Sequence, residues 1–133
     1  MQTPIICDTH ILIFWQDNPK CLSNAAQTAI ETALYDKTLA CSDISFWEIA
    51  MLIHSGRLRD DISPVQYMAD LCLALSLSVL SITPEIASLS QGDFFHHKDP
   101  ADRLIATTAI HHNAPLITAD KKLKRLESLT VIW

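Results

Sequence analysis

Short apolar runs alternate along this chain with longer segments whose apolar residues recur every three or four positions. Pro4 to Cys7 reads as a first strand, followed by a helical segment from about Thr9. Ser23 to Lys37 has helical spacing, with Leu22, Ala26, Ala29, Ile30, Ala33 and Leu34 on one face. Thr38 to Ser42 reads as a second strand. Ser45 to Ser55 is helical again, with Phe46, Ile49, Ala50 and Ile53 on one side and Gly56 as its C-terminal stop. Pro64 opens a helix to about Leu75, Leu77 to Ile82 alternates as a strand, and Pro84 starts a further short helix. Asp99-Pro100 is an N-cap followed by proline at the first helical position, so a helix runs from Pro100 to His112 and ends at Asn113. Leu116 to Thr118 is a strand, Lys121 to Leu126 a short helix, and Thr130 to Trp133 a final edge strand.

The predicted order is βαα-βαα-βαα-βα-β, without an internal repeat or linker. Alternation of this kind favours a parallel sheet covered by helices on both faces. The expectation is one domain over residues 1–133, a three-layer α/β/α unit with a parallel central sheet. A chain of 133 residues is long enough to bury a core without staples. An apolar fraction of 49% with only 19% charged residues excludes intrinsic disorder.

Composition narrows the chemistry further. Two glycines, Gly56 and Gly92, leave no glycine-rich phosphate loop. Cys7, Cys21, Cys41 and Cys72 form no CxxC pair, and Cys7 and Cys41 lie in apolar runs, as small core residues in a reducing compartment would. The N-terminus lacks the basic and apolar regions of a signal peptide, and Leu71 to Ile82 is too short to span a bilayer. A cytoplasmic protein with no membrane contact is expected.

Four acids fall at strand ends or in first turns of helices, and a fifth lies one turn from such a place. Asp8 follows the first strand, Glu48 lies one turn into the helix after the second, Asp99 and Asp102 begin the helix before the fourth, and Asp120 follows the fourth. In a parallel sheet the carboxyl ends of the strands point one way, and ligands bind beyond them. Asp8, Asp120 and the Glu48 helix should therefore approach one another. Asp99 and Asp102 join them only if their helix starts at that same edge.

Each acid also has a structural reading. Asp8 and Asp120 can be N-caps, Ser45-x-x-Glu48 is a capping box, and Asp99-Pro100-Ala101-Asp102 is an ordinary acidic helix start. The two readings are compatible, because caps at that edge already point into one crevice. Several carboxylates in one crevice repel one another unless cations offset them, and oxygen ligands with room for water suit Mg²⁺ or Mn²⁺. The net charge of −5 points the same way: setting aside the five acids leaves ten acids against ten bases. Lys121 beside Asp120, and Lys98 and Arg103 beside Asp102, are candidates for substrate phosphates. Lys122, Lys124 and Arg125 adjoin them, the last two better read as a solvated helix surface.

These segments resemble the PIN domain, and more closely the VapC-type toxins of bacterial toxin–antitoxin pairs. The resemblance rests on Asp8-Thr9-His10 with Trp15 following, and on Ser45-Phe46-Trp47-Glu48-Ile49-Ala50. It continues through Gly56-Arg57-Leu58, the block from Asp99-Pro100-Ala101-Asp102-Arg103 to Thr107, and Leu116-Ile117-Thr118-Ala119-Asp120. It runs in order through nearly the whole chain. What it implies is a parallel sheet with an acidic pocket that binds Mg²⁺ or Mn²⁺ and cleaves RNA. By position, Asp8, Glu48, Asp102 and Asp120 match the family's acidic quartet as catalytic and metal-binding residues, with Asp8 and Asp102 as first choices for direct ligands. Asp99 and Thr118 fit supporting roles. A cognate antitoxin and a homodimer are the implied partners. His96-His97-Lys98 departs from the small residue more usual before Asp99.

Other chemistries fit less well. His96-His97 and His111-His112 are sequence neighbours that do not share a helix face, and neither pair has HExxH spacing. They read as surface residues, while His10 stands beside the pocket. Serine hydrolase chemistry lacks a GxSxG elbow. The alternative is a catalytically weak or inactive PIN-fold module that acts mainly by binding a protein partner or RNA, since Phe14, Trp15, Phe46, Trp47, Tyr67 and Phe94-Phe95 exceed what the deep core needs. Metal-dependent turnover separates the two.

Overall fold

A computed structural model describes residues 2–92 and 98–133. Five strands form one sheet: β1 (Ile5–Cys7), β2 (Leu39–Ser42), β3 (Ser78–Leu80), β4 (Leu116–Ile117) and β5 (Val131–Ile132). The helices are α1 (Thr9–Asp17), α2 (Asn24–Asp36), α3 (Ile44–His54), α4 (Pro64–Leu75), α5 (Pro84–Leu89), α6 (Pro100–His111) and α7 (Lys121–Lys124), with a single 3₁₀ turn at Pro19–Cys21. The order is the one expected from the alternation of apolar patterns. The strands are shorter than their apolar runs by one to three residues: β1 and β2 lose their first residue, β4 its last, and β3 and β5 are trimmed at both ends.

The sheet order is β3-β2-β1-β4-β5, and each pairing is parallel. Ile6 stands opposite Ala40 on one side and Leu116 on the other, with Cys7 opposite Ile117. Alternation along these strands divides the core between the two faces. Cys7, Leu39, Cys41 and Ile117 pack with Ile11, Leu12, Ile30, Ile49, Tyr67, Leu71 and Leu75. Ile6, Ala40 and Leu116 pack with Ile105, Ala106, Ala109 and Leu123 of α6 and α7. Full burial of each large aliphatic side chain contributes about 1.5–3 kcal/mol, so both layers are held chiefly by this packing. All four cysteines are free, with Cys7 and Cys41 buried.

Local chemistry sets the helix ends. Ser23, Ser63 and Thr83 accept from the amides of Ala26, Gln66 and Ile86 and so start α2, α4 and α5. Gly56, at φ 76°, and Asn113, at φ 51°, take the left-handed conformation after α3 and α6, as their positions in the sequence suggest. The Ser45-x-x-Glu48 capping box is not formed. Helix α3 begins at Ile44 with Asp43 at the N-cap position, and Ser45 and Glu48 are buried on its inner face. Their side chains turn to α1 instead.

The chain lays down β1, β2 and β3 outward in one direction, then returns to place β4 on the other flank of β1. A crevice beyond the carboxyl ends of β1 and β4 follows from that reversal. Asp8 leaves β1 at its mouth, Thr118 and Asp120 leave β4 there, and α3 starts beside it after β2. Helix α6 leads into a parallel strand, so its N-terminus, with Asp99 and Asp102, lies at the same edge. Among the described residues no helix is long and apolar enough to cross a membrane.

Candidate metal centre

Asp8 is only 5% exposed. It occupies the N-cap position of α1 yet makes no side-chain cap bond there. Thr118 instead donates its hydroxyl to Asp8 Oδ2 at 2.7 Å, joining the ends of β4 and β1. The same Thr118 oxygen accepts from the Asp120 amide at 3.1 Å, which fixes the turn out of β4. Asp8 Oδ1 is buried and has no hydrogen-bond partner among the described residues. Burial pushes the Asp8 carboxyl above its ordinary range, and the charge of Asp120 adds to this. The Thr118 hydroxyl, His10 and the Thr9 amide act in the opposite sense.

Glu48 is 7% exposed and is reached from α1 by the next residue in the chain. Thr9 Oγ1 donates to Glu48 Oε1 at 2.5 Å and lies 2.8 Å from Ser45 Oγ. A threonine hydroxyl carries one hydrogen, so with that hydrogen on Glu48, Thr9 accepts from Ser45. Burial raises the Glu48 carboxyl first, and the charges of Asp8 and Asp99 raise it further; the Thr9 hydroxyl and His10 lower it.

Helix α6 brings the remaining acids. Asp99 Oδ1 accepts from the amides of Ala101 at 2.9 Å and Asp102 at 3.3 Å, so it caps the helix as its Asp-Pro sequence suggests. One carboxylate oxygen from each of Glu48, Asp99 and Asp102 lies within 4.8 Å of the other two. Asp120 caps α7 through Lys122 N at 2.8 Å and Leu123 N at 3.4 Å. The condition set by the sequence is thus met, since α6 does start at the edge where Asp8, Glu48 and Asp120 gather.

The basic residues divide. Lys98, Lys121, Lys122, Lys124 and Arg125 are exposed. Arg103 has a structural contact that its place beside Asp102 did not suggest: Nε and Nη2 donate to Ser90 O at 2.9 and 2.6 Å, and Nη2 to Gly92 O at 3.4 Å. Its guanidinium holds the segment after α5 against α6. His111 and His112 are exposed and packed edge to face. His96-His97 and Phe94-Phe95 lie outside the described residues. Sequence position suggests no role for Thr9 and only a helix-capping one for Ser45. The signal available was a hydroxyl directly after Asp8 and a serine three residues before Glu48, read there as a cap.

The PIN domain family model matches residues 5–129. Ribonuclease VapC22 of Mycobacterium tuberculosis is 35% identical over 123 residues, covering 92% of this chain and 91% of that protein. VapBC2 from Rickettsia felis, solved bound to a DNA fragment from its promoter, superposes with a TM-score of 0.69 at 20% identity, over 96% of both chains. DNA-bound VapBC from Salmonella typhimurium gives a TM-score of 0.71 at 16% identity, over 98% of this chain and 97% of that one. At these identities the two structures share the fold.

Proposed function

The chain belongs to the PIN-domain family, and from that premise we propose that it is a metal-dependent endoribonuclease, the toxin of a bacterial toxin–antitoxin pair. The observation that carries the reading is Asp8 Oδ1, a buried carboxylate oxygen with no hydrogen-bond partner among the described residues, in a crevice holding four more carboxylates. A buried charge without a partner is costly, and a hard divalent cation supplies what the oxygen lacks. The donor set is all oxygen, which suits Mg²⁺ or Mn²⁺ and disfavours zinc. Glu48, Asp99 and Asp102 each bring one carboxylate oxygen to within 4.8 Å of the others, a grouping that could hold such an ion.

Asp8, Glu48, Asp102 and Asp120 are the residues we assign to hold the cation. When bound, the ion supplies a Lewis acid for a phosphodiester oxygen and lowers the pKa of a coordinated water towards neutrality. Thr118 orients Asp8, and Thr9 orients Glu48 while Ser45 orients Thr9. Lys121 and Lys98, exposed beside Asp120 and Asp99, offer charge to the phosphates on either side of the cleaved bond. Concentrated at one edge, the acids account for the net negative charge and leave balanced charge elsewhere for an RNA substrate.

A toxin–antitoxin complex from Klebsiella pneumoniae contains a chain of this fold, with a TM-score of 0.64 at 22% identity over 95% of both chains, and we extend an antitoxin partner and a homodimer to this chain. Val65 and Leu73, two turns apart on α4, are 77% and 83% exposed, and Trp47 beside Glu48 is 60% exposed. Apolar surface of this kind is what a protein partner covers. We place the whole activity in a single domain acting in the cytoplasm, where four free thiols persist. The deciding experiment is cleavage of a mixed-sequence RNA with Mn²⁺, with Mg²⁺ and with chelator. Cleavage that needs the ion supports the reading. No turnover with either ion, with binding to a partner retained, selects a binding module instead.

A further inference from the structure

Charge is unevenly spread along this chain. Residues 2–92 hold four bases against ten acids, and residues 98–133 hold six against four. Four of those six, Lys121, Lys122, Lys124 and Arg125, stand within five positions on α7 and its C-cap. All four are exposed, while Leu123 among them is fully buried in the cluster that α6 and β4 share. At about 3.6 residues per turn the four cations fall on the arc opposite Leu123, so one anchor turns them all outward. The ion pairs among the described residues are those of Arg59 with Asp17 and Asp61, and none neutralises this group.

The patch is indexed to the crevice. Asp120 ends the turn out of β4 and caps α7 through the amides of Lys122 and Leu123, so Lys121 follows directly on a carboxylate of the site. The two flanks of the carboxyl edge then differ in sign. Asp43 follows β2 and Glu85 stands exposed in the first turn of α5, after β3, whereas α7 carries its cations from β4 across to β5. The large exposed apolar side chains of the described residues are Tyr35, Trp47, Val65, Leu73, Val79 and Leu89, none of them on α7. A protein interface has an apolar centre, whereas a nucleic-acid interface is polar and positive. The patch also carries no aromatic ring on which a base could stack, so what it offers is charge for phosphates alone.

We propose that the outer face of α7 is a docking surface for the backbone of single-stranded RNA. It holds the strand on one side of the cleaved bond, while the acidic flank over β2 and β3 leaves the other side unheld. This rests on the reading of the chain as a nuclease and adds the path of its substrate. From Lys121 to Arg125 the helix rises about 6 Å, so the cations serve neighbouring phosphates close to the crevice rather than a long track. Contacts of this kind position a strand without reading its sequence. Beside carboxylates that repel an RNA, α7 supplies the attraction that brings it in.

The experiment is binding of a short fluorescein-labelled oligouridylate to the full chain in chelator, read by fluorescence anisotropy over a series of KCl concentrations. The native chain is compared with three variants: Lys122→Gln with Lys124→Gln and Arg125→Gln; Lys20→Gln with Lys37→Gln and Arg57→Gln; and Glu85→Lys. Each phosphate contact contributes about 0.7 to the slope of log affinity against log salt, so the α7 variant should lose about 2 from the native slope. The second variant removes the same charge elsewhere and should keep the native slope. Glu85→Lys should keep it too, because the strand does not pass α5. Equal loss in the two neutralised variants overturns the proposal, since it marks net charge rather than a surface. A native slope in the α7 variant also overturns it and turns the patch over to an acidic protein partner. A slope steepened by Glu85→Lys overturns the one-sided path. Each of these results leaves the nuclease reading intact where the native chain cleaves mixed-sequence RNA with Mn²⁺. A native chain that neither binds nor cleaves RNA overturns both.

Discussion

Thr9 donates its hydroxyl hydrogen to Glu48 Oε1 across 2.5 Å, tying the first residue of α1 to the inner face of α3. Ser45 completes the link by donating to Thr9. Thr9→Val keeps the shape and removes both bonds, stranding the Ser45 hydroxyl and one Glu48 oxygen in a buried place. The expected cost is about 1–3 kcal/mol, measured by denaturant unfolding without metal. Mn²⁺ affinity should fall with it. Thr9→Ser restores the hydroxyl and should recover affinity even where the lost methyl costs stability. If the serine variant binds Mn²⁺ no better than the valine variant, the hydroxyl does not position Glu48.

Replacement of Asp8 or Asp102 by asparagine removes a charge and little volume. Cleavage of RNA should be abolished in both, with native secondary structure retained by circular dichroism. Without metal, Asp8→Asn should be at least as stable as the native chain, because burial already disfavours the ionised carboxylate there. A stable variant with undiminished cleavage removes Asp8 from the site.

The raised carboxyls of Asp8 and Glu48 give stability a defined dependence on pH. Between the unfolded value, about 4, and the higher folded value, the native state binds more protons than the unfolded chain. Their favourable contribution is therefore complete below the ordinary carboxylate range and is lost as pH rises through the folded values. In chelator the native chain should melt at a lower temperature as pH climbs through that window, and Asp8→Asn should show a shallower decline. Saturating Mn²⁺ should oppose the trend, since the ion competes with those protons. Parallel curves for native and Asp8→Asn would show that Asp8 titrates alike folded and unfolded.

Much of this site was legible because position in a parallel sheet is a property of sequence order. Asp8 follows the Ile5–Cys7 run and Asp120 the Leu116–Ile117 run, so their meeting at one edge follows from alternation alone. Asp99 and Asp102 needed one further fact, the direction of α6, which the strand after it supplies. What stayed hidden depends on distance in three dimensions. Thr9 and Ser45 are 36 residues apart, and nothing local distinguishes a serine that caps a helix from one turned inward to a threonine. Helix α3 starts one residue earlier than its sequence suggests, and that shift moves Ser45 from the cap to the core. Arg103 carries a contact of the same hidden kind, because its place beside Asp102 gives no sign that its guanidinium also reaches the carbonyls of Ser90 and Gly92.

Away from the crevice, Tyr67 links α4 to the end of α1 by donating to Asp17 Oδ2 at 2.8 Å, while Arg59 donates to Asp17 Oδ1 at 3.2 Å. The tyrosine ring is fully buried. Tyr67→Phe keeps the packing and loses a hydrogen bond to a charged group, an expected cost of about 1.5–3 kcal/mol in urea unfolding. Arg59→Ala should cost less, because that side chain is exposed and its ion pairs are screened by solvent. A larger loss from Arg59→Ala than from Tyr67→Phe would place the strength of this clamp in the ion pairs.

Arg103 and Lys121 can be separated by the salt dependence of RNA binding, measured in chelator on the Asp8→Asn background so that no cleavage intervenes. Each phosphate contact made by a cation releases counterions and contributes about 0.7 to the slope of log affinity against log salt for a single strand. Lys121 is exposed at the start of α7 beside Asp120, so Lys121→Ala should lower the slope by about that amount and leave the melting temperature unchanged. Arg103 spends its Nε and Nη2 on Ser90 O and Gly92 O, so Arg103→Ala should lower the melting temperature and leave the slope as it was. The opposite pattern, a reduced slope with unchanged stability in Arg103→Ala, would return that guanidinium to the phosphate and reduce its carbonyl contacts to a resting place.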